Sequence, residues 1–288
     1  MCGLVFLWGL DYIFAKAALT LLEPLTLLFL KYCIGALVLL GIKLKLDRKT
    51  IVRKKDIPFF FLCAIVGEVC YFFCEYSSLD YLPVSCLTMI LAFVPVVSII
   101  LERIIFKRKF NMIMLVGILA SIAGVGLIIG TDLAMLISGR MTGYLFAFGA
   151  VLAWNMFSFI TNKVGENYSG VTMSFNQILC TVIILIPYAI HSMPPIDSFT
   201  PEIIGGIIYL GTGSAGIGYF IFIKGIQDLG PTISSMFSNF IPVTATLFGW
   251  LLLGESVTGV QLIGGVIIIA ASCLVIVEKG KMEVRVND

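Results

Sequence analysis

The sequence predicts an all-α integral membrane protein of ten transmembrane helices, arranged as two inverted five-helix repeats. Three observations lead there. Of the 288 residues, 59% are hydrophobic and only 12% charged, about half the ~25% charge of an ordinary soluble domain. The apolar residues fall in runs of roughly 18–23, the length a helix needs to cross a bilayer. The chain also repeats itself. With an offset of about 147, Leu82, Pro95, Leu115 and Gly117 fall on Leu229, Pro242, Leu262 and Gly264; with an offset one smaller, Trp8, Thr26 and Phe29 fall on Trp154, Thr172 and Phe175.

The first copy occupies 1–130 and the second 142–278. Span one, 1–21, lacks the basic start of a cleaved signal peptide and carries Trp8, so it is expected to be retained. Glu23-Pro24 turns the chain into span two, 24–42, and a basic stretch from Lys43 to Lys55 closes it. Span three, 57–79, ends before Leu82-Pro83, which opens span four, 83–103, with Pro95 inside it. Span five, 112–130, holds Gly117, Ala120, Ser121, Ala123, Gly124 and Gly126, small residues that let helix backbones approach closely.

The second copy follows with spans 143–162, 171–190, 203–223, 232–253 and 259–277. They are separated by Pro194-Pro195, Thr200-Pro201, Gly230-Pro231 and Gly254-Glu255-Ser256. Span eight, rich in glycine from Gly205 to Gly218, is expected to be thin, bendable and able to line a cavity. Span nine carries Pro242, the counterpart of Pro95. A proline inside a helix removes a backbone bond and kinks it, so the pair is expected to form a symmetric hinge or gate.

Ten crossings put both termini and the even-numbered loops on one side. That side collects sixteen Lys and Arg residues against Arg140 alone on the other, which marks it as cytoplasmic, with the cell membrane as the location. Topology accounts for the basic loops, so nucleic acid is not expected as a partner. Five helices per copy is an odd number, so the second copy enters the bilayer from the opposite side and is inverted.

The eight cysteines lie in or beside apolar runs without a Cys-x-x-Cys pair, and His191 is the single histidine. Neither a metal site nor a cofactor is expected, and the chain is not expected to be an enzyme. A lipid-processing enzyme in the membrane would need a nucleophile–base set that one outlying histidine does not supply. A non-transporting membrane subunit is the other alternative.

Charged residues inside the spans carry the sharpest signal. Asp11 and Lys16 lie in span one, Lys31 in span two, and Glu68 and Glu75 in span three. By helical rise Asp11, Lys31 and Glu68 fall near mid-depth, with Lys16 and Glu75 further outward. Facing lipid each would be costly, so they are expected to pair, face the interior or line water. Three acids against two bases leaves one acid without a basic partner, a candidate proton carrier. The second copy answers with neutral groups, Asn155, Gln177 and Asn239, with Gln177 in the place of Lys31. Tyr71 and Trp154 are candidates to stack on a solute.

Several motifs, in this order, resemble the EamA-like branch of the drug/metabolite transporter superfamily over essentially the whole chain. They are Trp8-Gly9, the Ser78-Leu79-Asp80-Tyr81 corner, Pro95 and Pro242, and Leu252-Leu253-Gly254-Glu255-Ser256 followed by Gln261-Leu262-Ile263-Gly264-Gly265. The resemblance implies a secondary carrier, commonly an exporter of amino-acid-like compounds, other metabolites or drugs, working by alternating access from a central cavity. Its partners are then a small-molecule substrate, the lipid bilayer and protons as coupling ion. The family pattern places a Glu near the end of each copy's fourth helix. Glu255 fits it, whereas Arg108 stands at the equivalent place in the first copy, and Asp11 stands where a small or amide side chain is expected.

Overall fold

The computed structural model describes residues 1–106, 111–129, 140–165, 167–229, 237 and 240–287, and among them every regular element is helical. In chain order these are α1 (Cys2–Ala18), α2 (Pro24–Leu46), α3 (Ile57–Cys63), the π-helical stretch π1 (Ala64–Cys70) and α4 (Tyr71–Ser78). Next come α5 (Val84–Leu91), α6 (Val94–Phe106), α7 (Met112–Ile129), α8 (Arg140–Gly165) and α9 (Gly170–Ser192). The chain continues through α10 (Pro201–Tyr209), the π-helical stretch π2 (Leu210–Gly218), α11 (Tyr219–Leu229), α12 (Ile241–Leu253) and α13 (Gly259–Asn287).

Helix starts follow the turn chemistry. Pro24 and Pro201 occupy the first positions of α2 and α10, where their missing N–H is not needed. Ser169 and Thr200 cap α9 and α10 by accepting the N–H of Thr172 and Ile203. Gly254, at φ 65°, ends α12 in the left-handed conformation that glycine adopts without steric cost.

Seven helical stretches among the described residues are long and apolar enough to cross a membrane: Pro24–Leu46, Lys54–Ser78, Val84–Leu101, Arg140–Thr161, Gly170–Ser192, Pro201–Phe222 and Gly259–Glu278. Large apolar side chains such as Leu37, Leu145, Trp250 and Val266 point outward, where only lipid would cover them. This is a multi-pass membrane protein. The three other predicted spans are shorter as helices here: Cys2–Ala18, Met112–Leu127 and Ile241–Leu253. At the first, Leu19 to Leu22 leave the helix as a turn ahead of Glu23-Pro24.

Pro95 is the second residue of α6 and Pro242 the second residue of α12. The predicted kink inside span four is therefore a break. The N–H of Val96 turns to the carbonyl of Phe93, and the carbonyl of Ala92 is left to accept from Ser272 Oγ on α13 at 2.9 Å. Proline costs no hydrogen bond in a first turn, which is why the chain restarts there instead of bending.

The elements pack in matching pairs. α2 lies against α9 and α7 against α13; α1 lies against α12, α10 and π2, and α8 against α4, π1, α5 and α6. α2 and α9 run antiparallel, because Thr26 near the start of one bonds Ser192 at the end of the other at 2.5 Å, while Asp47 just beyond α2 bonds Thr172 near the start of α9 at 2.6 Å. Thr26 and Thr172 are repeat equivalents, and the offset that aligns the copies carries π1 onto π2. The small residues of spans five and ten serve packing. A Cβ on Gly124 would lie 2.8 Å from the carbonyl of Gly264, so neither helix could come closer with a larger residue there.

Candidate functional site

Asp11 on α1, Lys31 on α2, Glu68 in π1 and Glu75 on α4 come together in the centre of the molecule, each at most 5% exposed. Lys31 Nζ donates to Asp11 Oδ1 at 2.9 Å and to the Tyr76 hydroxyl at 3.0 Å. The same ammonium lies 4.6 Å from the Phe72 ring centroid, close enough for that ring to attract it.

The two glutamates are held by phenols. Glu68 accepts from the Tyr32 hydroxyl and, at 3.4 Å, from that of Tyr219. Glu75 accepts from Tyr12 at 2.9 Å and from Tyr71 at 2.5 Å. Neither forms an ion pair among the described residues; the Lys31 ammonium attracts both at longer range. The sequence predicted one acid without a basic partner, and there are two. The reason lies outside the cluster, where Lys16 is drawn to Glu255 at 2.9 Å. Glu75, predicted to lie further outward, joins the central cluster through Tyr12, which follows Asp11 directly.

Local structure sets this geometry. In π1 the chain is wound wider than an α-helix, a departure often found at functional positions, and it carries Glu68. π2 ends one residue before Tyr219, so the two wide turns meet across the Glu68–Tyr219 contact. Tyr71 also packs against Trp154 at 4.9 Å between ring centroids, which brings α8 to the cluster.

Other predicted residues lie apart. Asn155 donates to the carbonyls of Val94 and Val151, tying α8 to the first turn of α6 beside Pro95. Gln177, buried on α9, donates to Thr161 Oγ1 at 3.2 Å and makes no counterpart of the Lys31 pair. Asn239 lies outside the described residues. The sequence pointed to Tyr71 as a stacking group but not to the phenols as partners of the buried carboxylates, although Asp11, Lys31 and Glu75 are each followed by a tyrosine.

Each end of the molecule is closed by a polar clasp. Beside the α1–α2 turn, Glu255 Oε1 accepts from Lys16 Nζ and from the N–H of Val84, both at 2.9 Å, and Oε2 accepts from Ser85, so the carboxylate caps α5. Burial pushes this carboxyl up, but the Val84 N–H and the Lys16 ammonium outweigh it and hold the group below its ordinary range. At the opposite end Asp47 accepts from the hydroxyls of Ser169, Thr172 and Thr50, which hold it down at about 2. A cleft of about 230 Å³ opens at the α1–α2 turn, lined by Leu19 to Pro24 and Asp80.

The EamA-like transporter family model matches residues 1–130 and 141–277. The chain belongs to the EamA-like transporter family. An uncharacterized transporter of Clostridium kluyveri is 26% identical over 88% of this chain and 83% of its own length. The uncharacterized transporter YvbV of Bacillus subtilis is 23% identical over 94% and 88%, and Protein PecM of Dickeya dadantii 24% identical over 93% and 88%. A solved crystal structure shares the fold at a TM-score of 0.69, with 19% identity over 98% of this chain and 96% of that one. As an EamA-like protein, consistent with the drug/metabolite transporter superfamily, this chain is a membrane transporter of a small-molecule substrate, and the family and its relatives point away from an enzyme.

Proposed function

We propose that this EamA-like protein is a secondary active exporter of small polar metabolites that works by alternating access and is coupled to protons at Glu68 and Glu75. One observation carries the reading: two buried carboxyl groups, lying between two polar clasps, are held by four phenols and paired with no cation among the described residues. Charges removed from water must be neutralised, and a site that releases and regains protons as its ends open in turn meets that need.

The pairing of elements supports a frame of ten spans in two inverted copies. Thr26 and Thr172 engage the far ends of each other's helices, and π1 and π2 occupy equivalent places. In this reading both termini lie in the cytoplasm, as the basic loops favour, and the Lys16–Glu255 clasp lies outside. With protons flowing inward down their gradient, solute moves outward.

The test is efflux from vesicles holding the purified protein and a metabolite extract, under an imposed pH gradient. Flux is expected to follow the gradient, and Glu68→Gln with Glu75→Gln should abolish that dependence while leaving the protein monodisperse. Gradient-driven flux that persists in the double variant would sink proton coupling at these groups.

A further inference from the structure

We infer that the solute taken by this site is an organic cation, with a linear diamine the best match, an assignment that rests on the transport reading above. Among the described residues the central cluster holds three carboxyls and one ammonium. Lys31 and Asp11 neutralise each other, and Lys16 is engaged by Glu255. Glu68 and Glu75 therefore hold two protons, or they face two positive charges brought by the cargo.

Other classes of cargo fit badly. An anion brings a negative charge that no unpaired cation of this core meets among the described residues. A zwitterion brings a carboxylate for which the cluster offers, among the described residues, no cation but Lys31, whose charge is already paired with Asp11. A cation meets neither obstacle.

The walls speak independently for an amine. Lys31 is itself an alkylammonium on a flexible stem. Its head rests against a carboxylate, a phenol oxygen and the Phe72 ring. That is the environment an amine end requires, shown here by a tethered one. The same groups recur at both glutamates. Tyr32 and Tyr219 flank Glu68, Tyr12 and Tyr71 flank Glu75, and each phenol oxygen keeps lone pairs able to accept from an ammonium.

Spacing selects the diamine. Glu68 and Glu75 are seven residues apart in the chain, roughly 10 Å or a little less along the helix axis through the end of π1 and the start of α4. A linear chain with an ammonium at each end spans that distance, its methylenes lying along the aromatic wall of Tyr71, Phe72 and Trp154. Each ammonium that arrives releases one carboxyl proton to water. Two protons leave for one diamine, only O–H bonds are broken and re-formed, and the buried charge stays balanced.

The purified full-length protein in weakly buffered detergent tests this by proton release, with 1,8-diaminooctane, choline, succinate and glycine as probes. The diamine is expected to release two protons per molecule bound and choline one, with none from succinate or glycine. Glu68→Gln and Glu75→Gln should each cut release by the diamine to one proton and weaken its binding by about 30-fold or more. Glu75→Asp, which keeps the charge, should restore two and thereby exclude misfolding as the cause. Binding of the diamine without proton release would overturn the assignment. So would proton-coupled vesicle flux of succinate or glycine with none of the diamine, an outcome that leaves the transport reading standing. Absence of coupled flux for every solute of the extract would instead remove the transport reading itself.

Discussion

At Asp47 three hydroxyls converge on one carboxylate, and the consequence for pH can be worked out from that residue alone. Ser169 is the strongest of the three partners, followed by Thr172 and Thr50, and together they hold the group at about 2. An unfolded aspartate titrates near ~3.9. The folded value is the lower one, so the contribution to stability is fully present above about 4 and is lost as pH falls towards about 2. Between pH 5 and 8 the clasp is fully ionised and cannot act as a sensor. Asp47→Asn is accordingly expected to lower the thermal unfolding midpoint at pH 7 while leaving the shape of the transport–pH profile over 5–8 unchanged. A profile displaced by this substitution would assign the pH response to the clasp instead of to the buried glutamates.

At the scale of elements, the contact of α2 with π2 decides where Lys31 stands. A Cβ on Gly211 would lie 2.9 Å from the carbonyl of Lys31, against backbone that has nowhere to yield. Gly211→Leu is expected to push α2 outward and misplace the Lys31 ammonium, with transport falling by about 100-fold for a displacement of ~1 Å. Gly205→Leu, a change of the same kind on α10 where nothing lies within 4 Å, should transport normally. Equal losses in both variants would mean that leucine is harmful in this helix wherever it is placed.

This contact also shows what the sequence could and could not disclose. The glycine-rich run, the buried charges and the turn residues were legible because each is local: composition, spacing and proline chemistry announce them. The break before Pro95 was read as a kink because the donor that satisfies the freed carbonyl, Ser272 Oγ, arrives from 180 residues away. The second orphan acid was miscounted for the same reason, since Lys16 leaves the cluster for Glu255, 239 residues distant. Nothing near either residue in the chain signals such a partner. The tyrosines were legible in principle, one position after each of three buried charges, but adjacency along a helix gives no sign that two side chains will converge on one carboxylate from different helices.

For the whole molecule, both clasps are formed at once and the central cluster is buried, so the proposed alternating access has each clasp open while the other holds. The two differ chemically. The Lys16–Glu255 clasp contains an ion pair and joins α1, α5 and the turn after α12; the Asp47 clasp is a carboxylate among hydroxyls and joins the ends of α2 and α9. Both bridge the two sequence copies, so neither copy can move against the other without breaking one of them. In a background without native cysteines, a bifunctional thiol reagent joining Ser85→Cys to Glu255→Cys, or Thr172→Cys to Asp47→Cys, is expected to stop net efflux in either case, with full recovery on cleavage of the linker. With one reporter cysteine added at the unlocked end, the locks should also differ in sidedness. The first should leave the Asp47 end reactive to a membrane-impermeant thiol reagent from one face of the vesicle only, and the second should leave the Glu255 end reactive from the opposite face only. Efflux at the normal rate with either end locked would mean that solute passes the central carboxyls without the copies moving apart. The buried pairings would then be fixed scaffolding and not part of the cycle.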